Sequence, residues 1–382
     1  MRALASCSLA ALLTAATPLY AGVVNPDISV VGQPVIGLTD DAASTDAKRV
    51  RFDVGETEFV FDSYLNPYAR GLFILSLADQ QLDLEEGYFT ILRGLPFGLN
   101  LKGGKYRVGF GKLNTAHPHA NPFAEPFHVL RAYLPGDEAF NETGLSLSER
   151  IPVPGDVSLT ASFDWLQGDT FRRERDVSQA DINAGDPRES YTSGPDRAGE
   201  TRPAFVGRIS GFTMVGERSG LEFGISATQG TNNVAAGART RIFGTDLKAK
   251  LWTSAQSYLV LQGELLKLDR EDASWDSESN TYVTNKVSPV GGYVFADYNF
   301  AIRYNAGASL ESYQSDDADK VWNKAIGLFT GFALMEETTA IRLDWNHFIP
   351  GTPDGAEVSL DPINTVTLRV IYSMGPHKAH QF

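Results

Sequence analysis

The sequence predicts an all-β fold, a single antiparallel transmembrane β-barrel of about sixteen strands with long extracellular loops and short periplasmic turns. Three observations predict it. Apolar and polar residues alternate along many short segments, the connections between those segments alternate between short and long, and no run of 18 apolar residues follows the N-terminal stretch.

The alternation is clearest in four segments. Leu221, Phe223, Ile225 and Ala227 share one face, with Glu222, Gly224, Ser226 and Thr228 on the other. Ile302, Tyr304, Ala306, Ala308 and Leu310 oppose Arg303, Asn305, Gly307, Ser309 and Glu311. Ile341, Leu343 and Trp345 oppose Ala340, Arg342, Asp344 and Asn346, and Val366, Leu368, Val370 and Tyr372 oppose Thr365, Thr367 and Arg369. A period of two places neighbours on opposite faces of a strand. Arg or Lys facing lipid at the bilayer midplane costs about 2–4 kcal/mol, so a barrel strand keeps its charges on the lumen face. These four segments do so.

Strands are expected near 27–38, 50–62, 68–78, 82–93, 98–110, 142–149, 157–167, 203–214, 219–229, 239–253, 257–268, 287–299, 300–313, 323–335, 338–348 and 363–374. With both termini on the periplasmic side, the connections after even-numbered strands are all short. Those after odd-numbered strands include the long, polar stretches 111–141, 168–202, 269–286, 314–322 and 349–362. This segregation requires a strand at 27–38, despite Gly32 and Pro34 within it.

The chain opens like an export signal: Arg2, an apolar stretch from Leu4 to Leu13, then a turn ending Pro18-Leu19-Tyr20-Ala21. Residues 1–21 are therefore expected to be a cleaved signal peptide, and 22–382 one outer-membrane barrel domain. Cys7 is the only cysteine, which excludes disulfides and clusters of cysteine ligands. With 33 Lys+Arg against 47 Asp+Glu, the net charge of −14 argues against nucleic acid as a partner. Mean hydropathy is slightly negative, yet aromatics reach 11% and there are 36 glycines, as suits strands that are apolar on one face only. The terminal Phe382 resembles the assembly signal of outer-membrane proteins.

Several motifs carry a family resemblance. They are Gly104-Lys105-Tyr106-Arg107-Val108-Gly109-Phe110-Gly111, then His117-Pro118-His119, Pro122-Phe123 and Asn141-Glu142-Thr143-Gly144-Leu145-Ser146, between an opening Asn25-Pro26-Asp27 and a closing Gly375-Pro376-His377. Together these resemble porin-like proteobacterial outer-membrane β-barrel proteins, some labelled TonB-dependent or zinc-regulated outer-membrane receptors. The resemblance implies a barrel and a transport role without defining a substrate. Only about 30 residues of the expected mature chain precede the second strand. That leaves no room for the globular plug of a large receptor barrel.

Segment 111–141 is the expected constriction, since Pro118, Pro122, Phe123, Pro126 and Phe127 suit a packed loop. Lys105, Arg107, Arg303, Arg342 and Arg369 are expected to line the pore opposite Glu222, Asp246, Glu264, Glu311 and Asp344. Charged linings of this kind set selectivity. His117, His119 and Glu125 form a candidate zinc site, because imidazole and carboxylate are suitable ligands and residues two apart on an extended chain share a side. His128 belongs to the same group of loop histidines, and His377 and His380 are weaker candidates. No other cofactor is expected.

No chemistry is expected. A Gly-x-Ser-x-Gly elbow is absent, and Asp344 and His347 fall on opposite strand faces. The expected function is therefore passage of a small hydrophilic solute or ion across the bacterial outer membrane, with lipid as surroundings and a homotrimer as the expected assembly. The alternatives are a metal-uptake receptor and an outer-membrane enzyme or structural barrel.

Overall fold

A computed structural model describes residues 26–136, 139–172, 201–276, 278–279, 281–335, 339–353, 355 and 360–375. The expected signal peptide with Cys7, most of loop 168–202, His377, His380 and Phe382 lie outside the described residues.

Nineteen strand segments form one sheet, and joining the three interrupted strands makes sixteen. The first eight are β1 (Asp27–Gly32 and Val35–Thr39), β2 (Arg51–Asp53 and Thr57–Asn66), β3 (Ala69–Ala78), β4 (Gln81–Ile91), β5 (Asn100–Arg107), β6 (Asn141–Ile151), β7 (Val157–Leu166) and β8 (Ala204–Val215). Then come β9 (Ser219–Asn233), β10 (Ala238–Ser254), β11 (Ser257–Asp276), β12 (Thr281–Val287 and Val290–Phe300), β13 (Tyr304–Gln314), β14 (Trp322–Met335), β15 (Thr339–Ile349) and β16 (Ile363–Met374). Each strand pairs antiparallel with the next. β1 closes the circle: Asp27–Gly32 pairs with 57–62 of β2, while Val35–Thr39 pairs with 365–369 of β16. Closure leaves no sheet edge, which matters where no water can satisfy a free backbone group. Gln33-Pro34 breaks β1 because proline cannot donate to a ladder.

Every expected strand is present, and the differences lie at the ends. Residues 269–286, expected as a loop, are a tall hairpin that pairs Arg270 with Val287 through to Asp276 with Thr281. Its acidic and hydroxyl side chains lack an apolar face to announce a strand, and backbone pairing alone extends it. The turn between β12 and β13 lies at 301–303 rather than at Asn299, with φ of 50° at Ala301 and 69° at Ile302. Arg303 is therefore an exposed turn residue and leaves the expected pore lining.

The connections segregate to two rims. Those following even-numbered strands are all eight residues or shorter. The opposite rim carries the long connections but also tight turns, such as those at 79–80 and 234–237. Asp79 and Gln80 both have positive φ, as a two-residue hairpin requires.

The outer surface of the wall is apolar. Phe73, Leu145, Phe163, Ile225, Leu247 and Leu328 are among many large apolar side chains left exposed. A belt of this extent is a lipid-facing surface. The inner face carries Glu58, Glu86, Asp164, Asp246, Glu264, Glu311 and Arg369, all of them buried. A wall residue facing an empty lumen would be wet, so something else covers them.

Candidate functional site: the segment inside the barrel

The cover is the connection between β5 and β6, whose described residues 108–136 and 139–140 fold into the lumen. Its apolar residues form the main core of the molecule. Val108, Phe110, Leu113, Phe123, Phe127, Val129, Tyr133 and Phe140 pack with inward-facing Ile242, Leu266, Leu268, Tyr293, Phe295 and Phe329 of the wall. The segment is tied at its base: Val108 N–H donates to Phe140 O at 2.9 Å, and Asn114 bridges Val108 O and Phe140 O at 2.8 and 2.9 Å.

From there it makes a circuit of the wall. At β9–β11, Glu264 accepts hydrogen bonds from Lys112 N–H and Leu113 N–H at 2.9 and 2.7 Å, and the Lys112 ammonium pairs with Glu222. Two glycines permit this approach. Gly111 has φ +64°, and a Cβ there would meet Glu264 Oε2 at 2.1 Å; one at Gly244 would sit 2.8 Å from the Phe110 ring.

The chain then crosses to β2 and β4. Pro118–Ala120 make a short 3-10 turn that presents His117 and His119 side by side, with ring centroids 5.7 Å apart. His119 Nδ1 lies 2.9 Å from Glu58 Oε1, and His117 Nε2 lies 2.8 Å from Glu86 Oε1. Burial works against a charge on the His117 ring. The Glu58 and Glu86 carboxylates beside it outweigh that, and the pKa is pushed up to about 10.

Next come β15 and β16. Arg369 donates to three carbonyls of the segment, Pro118 O at 2.8 Å, Asn121 O at 2.9 Å and Phe123 O at 2.8 Å. Arg342 donates to His119 O at 2.9 Å and also to Asn121 O. Asp344 accepts from Ala124 N–H at 3.2 Å. Finally Phe127 stacks on Tyr293 at 3.9 Å between centroids, and Phe123 packs edge-on against Phe295 and Phe329. Helix α1 (His128–Tyr133) is fixed at its start by Glu311, which accepts from Val129 N–H at 2.6 Å and lies 2.9 Å from His128 Nδ1.

Most of the charged residues expected to line a pore are thus brought to the inner wall: Glu222, Asp246, Glu264, Glu311, Arg342, Asp344 and Arg369. All but Asp246 hold the inserted segment; Asp246 pairs instead with Arg208, at 2.5 Å. Arg107 is drawn to the segment as well, donating to Ala116 O at 2.9 Å and pairing with Glu85. Lys105 is a correction. It pairs across the sheet with Gly87 and Thr143 and bonds the Leu84 carbonyl, while Lys102, Tyr106 and Tyr88 take the inner side. Gly104 (φ +133°) sits between Lys105 and that inner row.

The expected metal trio is also revised. His117 and His119 do meet, but Glu125 is carried on with the chain to a small gap shared with Glu311 and Asp344. The carboxylates beside the imidazoles are Glu58, Glu85 and Glu86. The sequence does not single out these three, because they lie some 30 to 60 positions away and their segments alternate poorly. Asp344 and His347 do face apart, with His347 bonded to Asn364 at 2.9 Å.

No protein-family model matches the chain. An uncharacterized protein of Aquifex aeolicus (strain VF5) is 30% identical over 269 residues, which is 67% of this chain and 53% of that relative. The chain spans about half the length of that relative. Among solved structures, the anion-selective porin from Comamonas acidovorans superposes with a TM-score of 0.56 at 10% identity, covering 92% of this chain and 100% of that one. Pseudomonas putida OprB gives 0.54 at 11% identity (92% and 94%), and the outer-membrane channel DcaP of Acinetobacter baumannii 0.54 at 11% (92% and 99%). The fold is that of the outer-membrane porins. A closed barrel of this fold with an apolar outer belt belongs in the outer membrane of a bacterium.

Proposed function

We propose that this chain is a porin-like channel that passes small hydrophilic solutes or ions, its lumen narrowed by the segment inserted between β5 and β6. One observation carries the reading. Charged residues on the inner wall grip an inserted segment that runs around the lumen. Pore width and the charges left facing water would then set selectivity. The rim with the short turns faces the periplasm, residues 1–21 are removed on export, and 22–382 form the mature barrel.

Reconstitution of the full-length barrel in planar bilayers tests the proposal. Discrete conductance steps are expected, and a preparation that is folded but carries no current would overturn it. A surface-capture metal receptor fits less well, because His117 and His119 are buried. A trimer form is recorded for OmpT of Vibrio cholerae, which shares the fold with a TM-score of 0.55 at 10% identity. We extend that assembly to this chain, and mass measurement in detergent checks it.

A further inference from the structure

Where the inserted segment crosses β2 and β4, three carboxylates and two imidazoles are held almost out of water. We propose that Glu58, Glu85 and His117 bind a divalent transition-metal ion of zinc-like chemistry, which clamps the segment to the barrel wall.

The donor atoms of these three residues lie within 4.8 Å of one another. His117 Nδ1 is 3.4 Å from Glu58 Oε2 and 3.4 Å from Glu85 Oε1. Both separations are long for a hydrogen bond. They match the edge of a tetrahedron built on zinc bonds of 2.0–2.2 Å, which is about 3.3–3.6 Å.

The surroundings orient the ligands. Glu86 Oε1, 2.8 Å from His117 Nε2, is placed to keep a proton on that nitrogen and leaves Nδ1 facing the cluster, where an ion would displace its proton. A carboxylate behind a ligating imidazole is the usual support of a metal-bound histidine. His119 fixes the other oxygen of Glu58 at 2.9 Å. Glu58 Oε2 and Glu85 Oε2 are buried and make no hydrogen bond among the described residues, although the Glu58 side chain is only 1% exposed. A buried carboxylate oxygen normally has a partner, and a cation between these groups supplies one. Arg107, paired with Glu85, answers one of the three carboxylate charges and leaves an acidic surplus for the ion.

The donor set is one imidazole and two carboxylates, with no thiolate. That favours zinc and its first-row neighbours over copper(I), and it leaves a fourth position for water. A clamp here joins a loop residue to two strands, so its effect is on the position of the segment. The inference stands on this junction and is independent of whether the barrel conducts.

The test uses full-length protein refolded in detergent, stripped with a chelator and titrated with Zn²⁺ alone, with stoichiometry read by elemental analysis. Co²⁺ is added separately for its visible absorption. The wild type is expected to bind one equivalent and to give the intense d–d bands of four-coordinate cobalt. Glu58→Gln and His117→Ala should each abolish that equivalent. Glu86→Gln should weaken binding about 10–100-fold, and Glu125→Gln should leave it unchanged. No stoichiometric zinc in the folded wild type would overturn the proposal, as would undiminished binding in folded Glu58→Gln and Glu85→Gln proteins. If the Glu58 variant does not fold, the wild-type stoichiometry and the more exposed Glu85 decide the matter.

Discussion

The two ends of the central stretch of the inserted segment, residues 117–134, are held by different physics. Residues 117–123 are gripped by charge, with Arg342 and Arg369 on their carbonyls and Glu58 and Glu86 on their imidazoles. Residues 127–134 are gripped by shape, with Phe127 flat on Tyr293 and Tyr133 edge-on to Tyr313. Charge-assisted hydrogen bonds fix direction and register; aromatic packing fixes volume. The first end is therefore built for geometry and the second for cohesion. A segment that is to set a pore's width needs both, because an aromatic cluster alone would let the extended 117–123 stretch wander.

Four substitutions would break or sharpen this contrast. Phe127→Ala should have the largest effect, about 3–5 kcal/mol of lost packing at the aromatic end. It should open Arg131 to trypsin and raise single-channel conductance. Ile225→Lys is the reference outside the contrast: a lysine facing lipid should cost the whole barrel about 2–4 kcal/mol in refolding titrations, without changing cleavage within the segment. Arg369→Lys should cost about 1–3 kcal/mol, because an ammonium cannot hold three carbonyls in a planar fork. Its signature should be chymotryptic cleavage at Phe123, with Arg131 still protected. Glu311→Gln should be the mildest, about 1 kcal/mol, because the amide oxygen still accepts from Val129 N–H. If Arg369→Lys and Phe127→Ala release the same cleavage sites, the two ends move as one and the contrast fails.

The outer face was legible because lipid imposes a simple rule. Ile225, Leu343 and Val366 must alternate with Glu222, Arg342 and Thr367, and a charge out of place is costly. That rule gave sixteen strands in the right order, including the difficult 27–38. It failed where the rule lapses: in the polar hairpin 270–287, at the turn carrying Arg303, and at Lys105, whose neighbour Gly104 has a positive φ. The site was only half legible. Its proline and aromatic content marked 111–141 as a packed loop, and His117-Pro118-His119 marked itself. The carboxylates that meet those imidazoles could not be read, since Glu58, Glu85 and Glu86 sit in blurred strands and β4 is bulged between Leu84 and Glu86.

What the sequence by itself determined is the wall: strand number, order, the two unequal rims and the apolar outer belt. All of these follow from local alternation and from loop length. What only the tertiary structure decided is the interior. Which wall charge meets which loop atom depends largely on contacts far apart in the chain, from 31 residues for His117 with Glu86 to 246 for Arg369 with Phe123. No local pattern encodes such a distance, because barrel closure, rather than neighbourhood in the chain, brings those groups together.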